Sequence, residues 1–356
     1  MSGDAPAGFT ETLARFGGGA PVVLCHDDAD GLSAGALFAR ILASPAHGPA
    51  RVRVIGRGES AWSDAIRAEL TAGPPVAGLV VTDLGVQVEP ILPGLPTLIV
   101  DHHVPRSLPA PDVATVISGY GEEPTPTSSL LAHRCAVARL GAAEAGALVW
   151  LAALGAIGDL GDRAAAAQFP EVMAGARRHT TLKALREAVS LVNAPRRSRR
   201  GDAAPALRLL LRATGPDDIL SDVSPDGEAL HAARAEVKQA LDAARTVAPL
   251  FAGPVALIRC DSPCQIHPLV AQSWTHRLRR QVVIGANAGF REGFVHFAAR
   301  SDTVPDLIAF LEERAPRLGP DDQFAQGHRR ATGGQVTRET WNRFAAGLGF
   351  GPEAMA

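Results

Sequence analysis

Cysteine is scarce in this sequence: Cys25, Cys135, Cys260 and Cys264 are the only four in 356 residues. So few scattered thiols cannot staple a chain of this size, which argues against a disulfide framework and for a reducing cytoplasm. Cys260-Asp-Ser-Pro-Cys264 has neither CxxC spacing nor, with His267, a four-ligand set, so it reads as structural. HExxH and paired CxxC are missing too, which removes the usual zinc signatures. No apolar run reaches the roughly 20 residues needed to cross a bilayer. Met1-Ser-Gly-Asp-Ala5 shows no basic region ahead of an apolar one, so neither a membrane span nor an export leader is expected. An excess of one charge is also lacking, since 35 Lys and Arg against 37 Asp and Glu leave a formal net charge of −2. That excludes a global basic field and disfavours long duplex binding; any nucleic-acid surface must be a local groove. There is no internal repeat and no low-complexity tract.

What is present is 46% hydrophobic and 20% charged residues, the balance of an ordinary soluble protein whose length allows two domains. Four apolar runs end on acids or imidazoles. Thr97-Leu-Ile-Val-Asp101 continues into His102-His103 and breaks at Pro105. Pro21-Val-Val-Leu-Cys25 runs into His26-Asp-Asp28-Ala-Asp30-Gly31, Gly78-Leu-Val-Val-Thr82 into Asp83, and Leu151 to Gly158 into Asp159. Parallel strands deliver their carboxyl ends to one edge, where open α/β sheets bind ligands, so these side chains are expected to converge.

The pattern of strands alternating with helical stretches predicts a doubly wound, mostly parallel α/β sheet with right-handed crossovers. Strands are expected at 21–25, 51–55, 78–82, 97–101 and 113–117, and helices at 31–42, 61–71 and 130–140. A nearly all-apolar helix is expected at 142–158. This first domain spans 1–192. Residues 193–250 read as a helical linker, opened by the breaker-rich Asn193-Ala-Pro-Arg196-Arg-Ser-Arg-Arg200-Gly-Asp202 and continued by a long helix over 222–247. Arg196 to Arg200 is read as a solvated linker face, with nucleic-acid contact as the sharper alternative. A smaller α/β domain over 251–356 carries a glycine-rich loop at Gly327-His328 to Gly333-Gly334.

A lone Asp or His at a strand end is usually a cap or turn residue, but four such ends together favour a site. His26, Asp28 and Asp30 alternate, so an extended loop would splay them to neighbouring positions and turn Asp27 away. Carboxylates with imidazoles suit hard or borderline divalent ions; Asp83, His102 and Asp159 would complete two sites sharing a carboxylate. Mn²⁺ fits mixed oxygen and nitrogen ligation best, with Mg²⁺ as a substitute. Two such ions activate water for displacement at phosphorus, which makes a phosphate ester the natural substrate. Gly31 would let the helix amino terminus approach the same anion. In the second domain Arg300-Ser301 offers a phosphate contact, and Gly327, His328, Gly333 and Gly334 allow close backbone approach.

With these residues in view, the sequence resembles the DHH phosphoesterase superfamily, named for the triplet found here at Asp101-His102-His103. His26-Asp-Asp28-Ala-Asp30-Gly31 is similar to its first motif, Asp83 to the second, and Gly155-Ala-Ile-Gly158-Asp159 to the fourth, all in order. The carboxyl-terminal part resembles the DHHA1 domain, with Arg300-Ser301 and Gly327-His328 to Gly334 matching its substrate elements, although Ala325-Gln326 stand where the family's loop has further glycines. The resemblance implies that His26, Asp28 and Asp83 hold one Mn²⁺ and Asp30, Asp83, His102 and Asp159 the other, with Asp83 bridging and catalytic. It implies that Asp101 orients the imidazoles and that His103 meets the scissile phosphate and protonates the leaving oxygen. The spacing is closest to the RecJ-like and oligoribonuclease-like branches.

The expected function is therefore a Mn²⁺-dependent phosphodiesterase acting on short single-stranded nucleic acid, since there is no room for the extra OB-fold module of enzymes that degrade long strands. Its partner would be an oligonucleotide or small nucleotide, with no membrane; a homodimer is compatible with the sequence. Two alternatives stand beside it. One is a phosphodiesterase for cyclic dinucleotides or 3′,5′-bisphosphate nucleotides, and the other an inactive nucleic-acid-binding scaffold, whose relatives lose the carboxylates kept here.

Overall fold

In the computed structural model, residues 5–43, 48–105, 107–279 and 281–356 are described, apart from the side chains of Ala5, Gln326 and His328. The chain divides into two units, the first made of residues 1–196 and 201–232, the second of 197–200 and 233–356.

The first unit is built on five strands, β1 (Ala20–His26), β2 (Arg51–Ile55), β3 (Val76–Thr82), β4 (Thr97–Asp101) and β5 (Thr115–Ser118). They lie in the order β2-β1-β3-β4-β5 and every pair is parallel. The β-branched runs suit this, because a parallel sheet is covered on both faces and needs apolar side chains on each. Val23, Cys25, Val80, Leu98 and Val100 face one buried cluster, while Val22, Leu24, Leu79, Val81 and Ile99 face the other. The order reverses direction between β1 and β3, and the carboxyl ends of strands at such a switch point are where open α/β sheets bind ligands.

Two central helices cover one face. Ala29–Leu42 buries twelve of its fourteen residues, and Val149–Leu160 buries nine consecutive residues from Val149 to Ile157. A helix apolar on all sides must be enclosed, and both are packed on each other and on Ser128–Leu140. The single helix expected over 142–158 is two, Ala142–Gly146 and Val149–Leu160, separated at Ala147-Leu148.

The expected linker 193–250 is divided between the units. The Leu182–Arg197 helix contains Pro195 within it, so the predicted break falls later, and its last turn carries Asn193 and Arg196 into the first unit. Ala204–Arg212 also packs there: Leu207, Leu209 and Leu210 are buried, and Arg40 donates to the carbonyls of Leu210 and Ala213 at 2.8 and 2.6 Å. Pro205 fits in its first turn, where a missing N–H costs nothing. The boundary between units lies inside the long helix Pro225–Arg245.

The second unit has six strands, β6 (Leu250–Ala252), β7 (Val255–Cys260), β8 (Val282–Asn287), β9 (Phe294–Arg300), β10 (Gln323–His328) and β11 (Ala331–Thr337). Their order is β10-β11-β9-β8-β7-β6, and only β7 and β8 are parallel. Phe297, Trp341 and Phe344 centre the cluster on one face.

Candidate metal centre

Three strand ends and two helices supply the site. His26 ends β1, Asp83 follows β3, and His102-His103 follow β4. The first-motif stretch is not the extended loop expected: Asp28 is the N-cap of Ala29–Leu42, its Oδ1 accepting from Gly31 N at 3.0 Å, and Asp30 lies in the first turn. Asp159 comes from the carboxyl-terminal turn of Val149–Leu160 rather than from a strand. Convergence survives because the helix that follows β1 starts at the same sheet edge, and the buried apolar helix is packed beside it.

The side chains form three overlapping groups whose candidate ligand atoms lie within 4.8 Å of one another: His26, Asp28 and Asp83; Asp30, His102 and Asp159; and Asp83, His102 and His103. Asp83 belongs to two of them. Its Oδ2 is 3.5 Å from His26 Nδ1, and its Oδ1 is 3.4 Å from His102 Nε2, which in turn is 3.3 Å from Asp159 Oδ2. Asp83 has φ +63°, a left-handed conformation that disfavours most L residues by roughly 1–2 kcal/mol and that Asp tolerates better. Its amide still donates to Val100 O at 3.1 Å, so the chain turns sharply just past the ladder.

Residues not assigned to the site from the sequence hold these ligands. Both oxygens of Asp30 accept backbone amides at the start of the Ser128–Leu140 helix, Oδ2 from Ser128 at 2.7 Å and Oδ1 from Ser129 at 3.0 Å. Asp30 thus caps a helix from outside it, where Thr127 makes no side-chain cap. Ser128 Oγ donates to Asp83 Oδ1 at 3.0 Å. Asn193 Oδ1 accepts from Ala29 N at 3.0 Å, and Arg196 donates through Nε to Asp27 Oδ1 at 2.8 Å. The reading of Arg196 as a solvated linker residue is therefore corrected, as its side chain is paired with the first-motif acids. Gly31 is also reassigned: its amide is spent on Asp28, and a Cβ there would stand 2.5 Å from that of His26.

Asp101 is fully buried and lies in none of the three groups. Its Oδ1 accepts from the amide of His103 at 2.8 Å and faces that residue's Nδ1 at 3.0 Å, while Oδ2 accepts from Gly85 N at 2.7 Å. It therefore orients His103 and ties β4 to the turn after β3.

The electrostatics follow from crowding four carboxylates in a buried space. Burial and the neighbouring Asp83 raise Asp30 to about 6. Burial and the charges of Asp30, Asp28 and Asp83 raise Asp159 well above the carboxylate range. Burial opposes the charged form of Asp28, but His26 and Arg196 outweigh it and hold the carboxyl well below its usual range. Burial likewise opposes the imidazolium of His102, but Asp83, Asp30 and Asp159 prevail and raise it to about 10. Against the same cost of burial, Asp28 raises His26 and Asp101 raises His103.

These residues fit divalent cations. The donors are carboxylate oxygens and imidazole nitrogens, the set that suits Mn²⁺ or Mg²⁺. His26 Nδ1 is buried and makes no well-aligned hydrogen bond, although Asp28 Oδ2 lies 2.9 Å and Asp83 Oδ2 3.5 Å away, so this nitrogen stands among carboxylate oxygens where a cation could take it as a ligand. The raised Asp30 and Asp159 mark negative charge that lacks enough positive charge to balance it.

The substrate residues expected in the second unit lie elsewhere in the chain. Arg300 ends β9; its Nη1 donates to Ala299 O at 3.0 Å, and burial lowers its pKa. Ser301 is buried, and its Oγ accepts from the amides of Thr303 and Val304, a turn-closing arrangement. The expected glycine-rich loop is a hairpin: β10 ends at His328, β11 begins at Ala331, and Gly333 and Gly334 pair with Ala298 and Phe297 of β9. A Cβ on Gly333 or Gly334 would run into the carbonyl oxygens of Phe297 or Gln323, so these glycines serve close strand approach. Gly327 has φ +119° at the hairpin end, and the side chain of His328 lies outside the described residues.

No family model matches the chain, and no curated protein does. Solved structures do. The exonuclease RecJ bound to manganese matches with TM-score 0.66 at 21% identity, over 97% of this chain and 92% of that one. RecJ from Thermus thermophilus in complex with Mn²⁺ matches with TM-score 0.67 at 21% identity over 97% of this chain, which spans only 53% of that longer protein. The DHH domain of a member of a family of ribosomal proteins matches with TM-score 0.66 at 16% identity, over 96% of this chain and 88% of that one. At such identities the likeness speaks for architecture: the chain shares the fold of these solved structures, a DHH domain among them.

Proposed function

We propose that this protein is a divalent-cation-dependent phosphodiesterase of the DHH phosphoesterase superfamily, using Mn²⁺ to hydrolyse short single-stranded nucleic acid. The observation that carries the reading is the pair of ligand groups, His26-Asp28-Asp83 and Asp30-His102-Asp159, joined by the approach of Asp83 to His102. An inactive scaffold has no use for so costly a concentration of buried acids. Two bound ions would supply an activated water and charge compensation at phosphorus.

The chain's own groups do the rest. Asp83 presents one oxygen to each imidazole side of the centre, and Ser128 fixes which oxygen faces His102. His103, held through Nδ1 by Asp101, keeps Nε2 as the proton-donating atom for the leaving oxygen, and the Asp101 carboxylate favours its protonated form against the cost of burial. Arg300 anchors a substrate phosphate as a positioning contact.

The test is digestion of end-labelled di- to decanucleotides of RNA and DNA with Mn²⁺ and with chelator, alongside a cyclic dinucleotide. Mn²⁺-dependent release of nucleotides from the linear substrates is expected. Intact linear RNA and DNA would sink this reading, and cleavage of the cyclic substrate alone would move it to the cyclic-dinucleotide class.

A further inference from the structure

Asp27 is the one acid of His26-Asp27-Asp28-Ala29-Asp30 that belongs to none of the three ligand groups, yet it is only 6% exposed. Burying a carboxylate costs several kcal/mol unless partners compensate it, so its partners define its role. Oδ1 of Asp27 accepts from Nε of Arg196 at 2.8 Å and stands 3.4 Å from Nε2 of His26. The guanidinium also reaches toward the site, with Nη1 3.6 Å from Oδ2 of Asp28. That same oxygen of Asp28 is the one 2.9 Å from His26 Nδ1. A guanidinium and an imidazole thus converge on one carboxylate oxygen of a ligand group, and Asp27 touches both.

We infer that Asp27 is a positioning residue of the His26-Asp28-Asp83 cation position, turning Nδ1 of His26 toward Asp28 and Asp83 and keeping the guanidinium of Arg196 from taking Asp28. This rests on reading that group as a cation position. An imidazole that ligates through one nitrogen is commonly fixed by a carboxylate on the other, which is the place Asp27 occupies. Arg favours two-point pairing with a carboxylate, so without the charge of Asp27 its nearest carboxylate is Asp28. The main chain of Arg196 is held beside the site, because its carbonyl accepts from Arg57 Nη2 at 2.9 Å and the same helix end is tied to Ala29 through Asn193, so the guanidinium stays within reach of Asp28. Neutralising Asp27 would therefore put a fixed positive charge where the cation belongs.

The experiment is Mn²⁺ titration of the metal-stripped full-length chain by calorimetry, comparing wild type, Asp27→Asn, Arg196→Gln and the double variant, each checked for a wild-type melting profile. Asn keeps an acceptor for His26 but loses the charge that holds Arg196. Asp27→Asn is expected to weaken one Mn²⁺ step by about 10- to 100-fold. Arg196→Gln should bind at least as well as wild type, and the double variant should recover most of the loss, because the competitor is gone. A merely structural role predicts that both single variants lose affinity and the double variant loses more. That outcome, or wild-type affinity in Asp27→Asn, overturns the inference. If the wild-type chain takes up no Mn²⁺, the cation-site reading fails first and this one falls with it.

Discussion

The carboxyl edge of the first sheet and the Arg300-to-Gly334 region of the second use the same ingredients, charged side chains and glycine, to opposite ends. In the first, parallel strands stop together, and the residues just past them are released from the ladder; His26, Asp83 and His102 meet there. In the second, β9, β10 and β11 run antiparallel, so their ends fall on both edges and the glycines are spent inside the ladder. Strand polarity, more than residue type, decides which acids and imidazoles are gathered at one edge and which glycines are spent inside a ladder.

The largest expected effect tests that contrast directly. Asp83→Ala should lower kcat by on the order of 10³-fold or more, equivalent to several kcal/mol of charge stabilisation, and reduce Mn²⁺ uptake. Arg300→Ala should instead raise KM by about tenfold with kcat little changed, the loss of one charge-assisted contact. Steady-state kinetics on a labelled oligonucleotide separate the two; equal activity of Asp83→Ala and wild type would break the comparison.

A pair of glycine substitutions sharpens it. A Cβ on Gly155 would run into Ser129 Oγ and Asp30 Oδ1, and one on Gly333 into the carbonyl oxygen of Phe297. Each replacement by Ala should cost about 1–3 kcal/mol through overpacking. Only Gly155→Ala should also weaken Mn²⁺ binding, because only there does the displaced group belong to the cluster. Melting curves and Mn²⁺ titrations on both variants would show a shared metal phenotype if the contrast is false.

The smallest effect is in stability against pH. Asp30 and Asp159 are raised, the first to about 6, and so are His26 and His102, the latter to about 10. Groups raised above their unfolded values contribute stability that is complete below those values and lost as pH climbs through the folded ones. The metal-free centre therefore loses stability from about pH 4 to about pH 10. Asp28, lowered, loses its contribution only below about pH 4. Mn²⁺ would take the place of the protons, so at one fixed Mn²⁺ concentration the rise in Tm, worth about 3 kcal/mol where that concentration reaches a hundred times Kd, should grow between about pH 5 and about pH 8. A rise that shrinks with pH would place the ion elsewhere.

Much of the centre was legible because its ligands close apolar runs: Val-Val-Leu-Cys before His26, Leu-Val-Val-Thr before Asp83 and Leu-Ile-Val before Asp101 each announce a buried strand and its end. Sequence alone thus determined the parallel sheet, the acids and imidazoles at its edge, and their suitability for a divalent cation. Only the tertiary structure decided what holds them. Ser128 meets Asp30 across 98 residues, Asn193 meets Ala29 across 164 and Arg196 meets Asp27 across 169. No local period links such partners, and Ser, Asn and Arg in those stretches look like any cap or solvated turn. The same limit hid the hairpin around Gly333, because a glycine needed for strand approach and one needed for a loop are the same letter until the neighbouring backbone is in place.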